Sequence, residues 1–252
     1  EPVEAIYAFA RSADDIADEG NALARVRLER LDAYRRHLRA AVRKRPIDDP
    51  ELAPMFERLG RNIRHHQLPV PLLGDLLDAF SQDVRQTRYA DFAELSDYCR
   101  RSANPVGRLL LHLYKADTPD NLLLSDKICT ALQLINFWQD VEVDWRKSRI
   151  YIPLADMERF GVTEAVIAGG EVTPQFSALM DFEIQRARTM MLQGAPLARR
   201  LPGRIGWELR LVVQGGLAIL DKIEGVGYDV YTRRPALGKT DWLRLIWRAA
   251  TR

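Results

Sequence analysis

The chain of 252 residues is poor in the features that mark several special classes of protein. It has two cysteines, Cys99 and Cys129, both in apolar helical context, which excludes a disulfide framework and a thiolate metal cluster. They read as buried thiols in a reducing, cytoplasmic compartment. No long hydrophobic run is present. The longest stretch without Asp, Glu, Lys or Arg is Ile128 to Gln139, too short to cross a bilayer. An excess of one charge is missing too: 37 Lys and Arg against 35 Asp and Glu leave a formal net charge of +2. With no interleaving of basic and aromatic residues, nucleic acid is not indicated as a partner. The glycines of 203–206 and 225–227 are sparse and follow no strand, which removes a P-loop or a dinucleotide crevice. His37, His65, His66 and His112 lack metal-ligand spacing.

What is present is ordinary globular composition, 47% hydrophobic and 29% charged, in a chain long enough for one large domain over 1–252. An acidic motif arrives almost at once after Glu1-Pro2, so a further segment is expected upstream. Apolar residues recur at three-and-four spacing over Leu23 to Val42, Leu72 to Thr87, Phe92 to Arg101, Val106 to Tyr114, Leu122 to Trp145, Phe176 to Gln193, Trp207 to Glu224 and Asp241 to Ala250. Pro and Gly clusters separate them, with Thr173-Pro174 a good helix start. Strand alternation is nearly absent. The expectation is an all-α bundle of about eight to ten helices, with side chains on facing helices forming any site.

Two acidic stretches stand out, Asp14-Asp15-Ile16-Ala17-Asp18 and Asn136-Phe137-Trp138-Gln139-Asp140-Val141-Glu142-Val143-Asp144. A helix advances about 100° per residue, so positions four apart stack on one face. Tyr7, Arg11, Asp14 and Asp18 share one stripe. Gln133, Asn136, Asp140 and Asp144 fall within an arc of roughly 80°, and the first two interrupt an apolar run, where a polar group needs a buried partner. Carboxylates converging from two helices repel one another unless cations lie between them. Magnesium suits sparse Asp at i and i+4, because it takes one or two carboxylates and completes its octahedron with water and phosphate oxygens. The pattern points to a magnesium-diphosphate site. The arginine-rich segment Arg25 to Arg45 reads as a solvated helix face. Near the end, Leu243, Ile246, Trp247 and Ala250 form an apolar stripe and Arg244, Arg248 and Arg252 a basic one, which suits either a docked terminal helix or peripheral contact with an anionic membrane.

Over nearly its whole length the chain resembles the squalene and phytoene synthases, a branch of the trans-isoprenyl diphosphate synthases. The resemblance rests on the two Asp-x-x-x-Asp motifs, on Gln133-Leu134-Ile135-Asn136, Tyr98-Cys99, Arg149-Ile150-Tyr151-Ile152-Pro153 and Gly227-Tyr228-Asp229-Val230. Where that family usually has an Ala-Gly pair after Tyr98-Cys99, this chain has Ser102-Ala103-Asn104-Pro105-Val106-Gly107. With Phe137-Trp138-Gln139, that variant resembles the bacterial hydroxysqualene synthases of hopanoid biosynthesis. A Ser- and Phe-containing segment that precedes the first motif in the family is not in these residues. The resemblance implies an isoprenoid-synthase-like helical bundle with a central active-site cavity. It implies Mg2+ held by Asp14, Asp18, Asn136, Asp140 and Asp144, and a diphosphate contacted by Arg11, Arg149, Tyr228 and Arg233. Catalytic roles fall to Tyr98, Asn104 and Gln133. The expected activity is conversion of presqualene diphosphate to hydroxysqualene, with contact at the inner face of the membrane. The alternatives are head-to-head synthesis of presqualene diphosphate, squalene or phytoene, and a non-catalytic assembly protein of the same fold. Oligomeric state is left open.

Overall fold

Pro2 opens the first helix and Gly20, at φ +76, closes it, and between them the apolar positions Ala5, Ile6, Phe9, Ala13 and Ala17 recur every three or four residues and are all buried. The same rule builds the rest of the chain. The computed structural model describes residues 1–238 and 241, and all its regular structure there is helical. The helices are α1 (Pro2–Asp18), α2 (Ala24–Val42), α3 (Ala53–His66), α4 (Val70–Asp83), α5 (Phe92–Ser102), α6 (Asn104–Leu113) and α7 (Pro119–Gln139). There follow α8 (Val141–Arg146), α9 (Leu154–Arg159), α10 (Glu164–Gly169), α11 (Pro174–Gly194), α12 (Leu197–Arg200) and α13 (Gly203–Gly225). The stripe expected over 241–250 lies outside the described residues, apart from Asp241.

Contacts within the chain gather into two compact units, Glu1–Gln86 with Arg100–Asp117, and Thr87–Cys99 with the chain from Thr118 onward. In the first, α1 to α4 and α6 surround an aromatic centre. Phe9, Tyr34 and Phe56 meet edge-on or tilted with ring centroids 5.0–6.1 Å apart. The Tyr34 hydroxyl is hydrogen-bonded to Ser12. Helix α3 is not legible as a helix in the sequence, because Phe56, Leu59 and Ile63 are set among charged residues; burial of those three against α1 and α2 decides it.

In the second unit α7 packs along α11, and α13 covers both. α7 and α11 each start on a threonine cap: Thr118 accepts from Asn121 N–H at 3.3 Å, and Thr173 from Phe176 N–H at 3.1 Å. The α7–α11 approach depends on Gly194. A Cβ there would stand 2.6 Å from Ile128 Cγ1 and 2.7 Å from the Leu124 carbonyl oxygen. Gly194→Ala is therefore expected to lower stability by about 1–3 kcal/mol, overpacking outweighing the ~1 kcal/mol that alanine gains in helix propensity. Thermal melting checks this, and an unchanged or raised Tm contradicts the close approach.

Candidate active site

In the first unit, the face of α1 opposite its buried stripe carries Tyr7, Arg11, Asp14 and Asp18. Tyr7 is exposed, and Asp14 and Asp18 are half-buried. Arg11 bridges two acids, with Nη1 at 3.2 Å from Asp14 Oδ2 and Nη2 at 2.8 Å from Asp15 Oδ1. The end of the motif is fixed from α2. Arg27 donates Nη1 to the Ala17 carbonyl, Nη2 to that of Gly20 at 2.7 Å and Nε to that of Ala22 at 3.0 Å. These carbonyls have no intrahelical partner, so one guanidinium closes the turn that follows Asp18. The arginine-rich segment is thus not wholly a solvated face: Arg27 caps α1, and Arg35 pairs with Asp78 at 2.7 Å. Asn104 is the first residue of α6 and is buried.

In the second unit, the helix expected to run unbroken from Leu122 to Trp145 is interrupted at Asp140, whose φ of −106° and ψ of 17° separate α7 from α8. The interruption is slight. Asp140 N–H still bonds the Asn136 carbonyl at 3.0 Å and Asp144 N–H the Asp140 carbonyl at 2.7 Å, so the aspartates keep their four-residue register. Asn136 is exposed and Gln133 half-buried, a correction to the expectation of buried partners: this face of α7 opens to solvent, which satisfies the amide.

Asp140 is gripped from far along the chain. Arg234 sets Nε and Nη2 against its two carboxylate oxygens, the second at 3.1 Å, in a two-point pair that raises the guanidinium pKa. Beside it Gln139, buried, donates Nε2 to the Pro235 carbonyl at 2.6 Å. The segment after α13 is thereby fastened to the second acidic motif. Asp144 and Arg149 line a small hollow with Phe137 and Tyr151, and Arg149 N–H bonds the Asp144 carbonyl at 2.8 Å. Tyr151 stacks on Phe137 at 3.8 Å between centroids, and Tyr98 joins them at 6.0 and 6.2 Å. Residues 150–155 are held alongside 87–90 by backbone bonds from Ile150 to Thr87 and from Leu154 to Tyr89.

Asp140, Asp144, Asn136, Arg149 and Tyr98 therefore collect around one end of α7, as Arg11, Asp14 and Asp18 do along α1. Tyr228 is differently placed: its backbone is left-handed at φ 65°, and its hydroxyl donates to Asp181 on α11 at 3.1 Å. Arg233 is exposed and lies near enough to Asp229 to hold that carboxyl below its usual range, after the larger effect of hydrogen bonds from Thr232. Arg234 and Arg27 are missed by sequence reasoning. Arg233-Arg234 shows as a basic pair, but nothing local says which of the two reaches an acid 94 residues earlier. Cys99 is buried as expected; Cys129 is only half-buried, and neither is in a disulfide.

A metal fits these donors on chemistry. Each motif offers carboxylate oxygens with no thiol or imidazole among them, the set a hard cation takes. Among the described residues no group of three His, Cys, Asp or Glu is set to hold a metal through protein groups alone. Two carboxylates at a time suit an ion that completes its shell with water and phosphate oxygens.

The squalene/phytoene synthase family profile matches residues 1–241. The 15-cis-phytoene synthase of Synechocystis sp. is 31% identical, over 98% of this chain and 76% of its own length. The hydroxysqualene synthase of Zymomonas mobilis is 38% identical over 64% of this chain and 52% of its own. Among solved structures, squalene synthase HpnC from Alicyclobacillus acidocaldarius superposes with a TM-score of 0.82 at 36% identity, covering 89% of this chain and 82% of that one.

Proposed function

The chain belongs to the squalene/phytoene synthase family, and on that premise we propose that it is a hydroxysqualene synthase, converting presqualene diphosphate to hydroxysqualene and diphosphate. The observation that carries this reading is Asn104-Pro105 at the start of α6, a buried amide where the family usually has a small residue. The 38% identity to the Zymomonas enzyme supports it. Phytoene synthesis is the second reading, because a phytoene synthase matches over 98% of the chain.

Magnesium would be held at each motif by that motif's own residues, Asp14 and Asp18 on α1 in the first unit, and Asn136, Asp140 and Asp144 about the α7–α8 junction in the second. When bound, magnesium would supply positive charge to the departing diphosphate. Arg11 and Arg149 add charge-assisted hydrogen bonds to phosphate oxygens. The carbon left behind is a cyclopropylcarbinyl cation, and Phe137 and Tyr151, stacked on each other, with Tyr98 tilted beside them, offer it aromatic quadrupoles among buried apolar side chains. Asn104 orders the water that captures the rearranged cation, with Gln133 as the alternative donor. Substrate and product are lipid-like, and we place the enzyme in the cytoplasm with peripheral contact at the inner membrane face. Among the described residues no helix is long and apolar enough to span a bilayer.

The test is incubation with magnesium and presqualene diphosphate, with and without NADPH, and product identification by mass spectrometry. Hydroxysqualene formed without NADPH is the expected result. Squalene appearing only with NADPH, or phytoene from geranylgeranyl diphosphate, overturns it. In the same assay Asn104→Ala is expected to raise the share of other products, and an unchanged profile removes Asn104 from water capture.

A further inference from the structure

The first unit has a second charged feature, away from its aspartate motif in sequence and unused by the chemistry above. Lys44, Arg45, Arg61 and Arg64 surround an open hollow of about 480 Å3 with Ile47 in its wall, and Glu57 is the one acid among its lining residues. Helix α2 ends there in a turn closed by Lys44 N–H to the Ala41 carbonyl at 3.3 Å and Arg45 N–H to that of Ala40 at 2.9 Å. Lys44 stands at φ 55, the left-handed position that glycine usually takes, so the turn keeps a cation at the rim where a residue without a side chain fits more easily.

Helix-end electrostatics accounts for Arg64, whose Nη1 donates to the Ala41 carbonyl at 2.6 Å. The same field favours Lys44 and Arg45 just past the end of α2 but gives them no counter-ion, and it does not account for Arg61, which precedes the last turn of α3. Among the described residues Lys44, Arg45 and Arg61 have no acidic side chain in salt-bridge reach, Glu57 included, although it is one turn before Arg61 on α3. Three cations left without counter-charge around one concavity focus a positive potential there.

We propose that this hollow docks the enzyme on an anionic phospholipid surface, with its cations taking lipid phosphates and Ile47 and Pro46 resting among the headgroups. The inference rests on the reading that substrate and product are lipid-like and adds where the molecule meets the membrane. Charge complementarity selects an anion. The absence of any aromatic side chain from the lining, on which bases would stack, selects lipid over nucleic acid.

The experiment is co-sedimentation of the full chain with phosphatidylcholine vesicles, with and without phosphatidylglycerol, at low and high salt. The wild type is expected to need phosphatidylglycerol and to be released by salt. Lys44→Ala/Arg45→Ala/Arg61→Ala is expected to lose on the order of a hundredfold in partition, while its turnover on detergent-dispersed substrate stays at the wild-type level. Arg61→Glu alone, at an exposed position, gives the same direction if the triple variant folds poorly. Equal sedimentation of wild type and variant, no dependence on phosphatidylglycerol, or retention of RNA in place of vesicles overturns the proposal. Sedimentation needs no catalysis and the product assay no vesicles, so the two readings fail separately.

Discussion

Asp140→Ala is expected to lower turnover by about two to three orders of magnitude, the loss that follows removal of a group stabilising charge on a leaving anion. Asp140 is tightly placed within its motif. It sits where α7 gives way to α8, its backbone still in helical register with Asn136 and Asp144, and its carboxylate faces Arg234 along both oxygens. The alanine variant loses the proposed magnesium ligand and also strands Arg234. Asp140→Asn separates these effects, since the amide keeps shape and one acceptor but not the charge. If the carboxylate binds magnesium, the asparagine variant needs a higher magnesium concentration for half-maximal rate. If it serves only to anchor Arg234, Arg234→Ala lowers turnover as much as Asp140→Ala does, with no change in the magnesium requirement. Steady-state kinetics with magnesium titration distinguishes these outcomes, and full activity in Asp140→Ala removes the second motif from the chemistry.

Stability is expected to fall as pH rises from about 4.5 to about 8, and Glu183 is the reason. Its side chain is wholly buried on α11, beside Arg186 Nη1 at 2.8 Å, which also binds Asp156 Oδ2 at 2.8 Å. Arg186 lies over the rings of Phe92 and Phe182, so this charge cluster is walled by aromatic carbon. Burial pushes the Glu183 carboxyl up to about 8; Arg186 opposes the shift and Asp156 adds to it. One guanidinium faces two carboxyls, and the neutral arrangement keeps a proton on one of them.

The sign follows. Below the unfolded value of 4.5 the proton is bound in both states. Between there and about 8 the folded protein holds a proton that the unfolded chain has released, so stability declines with pH and levels off above. The loss is on the order of a few kcal/mol, because each tenfold gain in proton affinity on folding is worth about 1.4 kcal/mol. Glu183→Gln keeps the shape without the proton and is expected to flatten the slope. Glu183→Ala leaves a cavity and takes a hydrogen-bond partner from Arg186 while the Arg186–Asp156 pair stays charge-balanced, at a cost of about 2–5 kcal/mol. Urea unfolding at pH 5 and pH 8 measures both, and a wild type equally stable at the two pH values refutes the assignment.

Neither prediction is available from the sequence in this form. The Asp-x-x-x-Asp spacings are legible because helical register is a local property, and the apolar neighbours of each motif announce which face is buried. That is also why Thr173 caps as its position suggests and why α2, α11 and α13 stand close to where periodicity puts them. Locality also limits what can be read. The break at Asp140 leaves the hydrophobic pattern undisturbed, because i to i−4 bonding persists through it. Helix α3 is hidden by its charge, and its three buried apolar residues find partners only on other helices.

By itself, then, the sequence determined the helical class, the registers of both acidic motifs and the family, each of them written in residues a few positions apart. Tertiary structure alone decided which charges meet. Arg234 reaches Asp140 across 94 residues, Arg186 joins Asp156 across 30, and Arg27 closes the end of α1. An ion pair or a shifted pKa depends on distance and on how much water is excluded, and both are set only when distant segments pack.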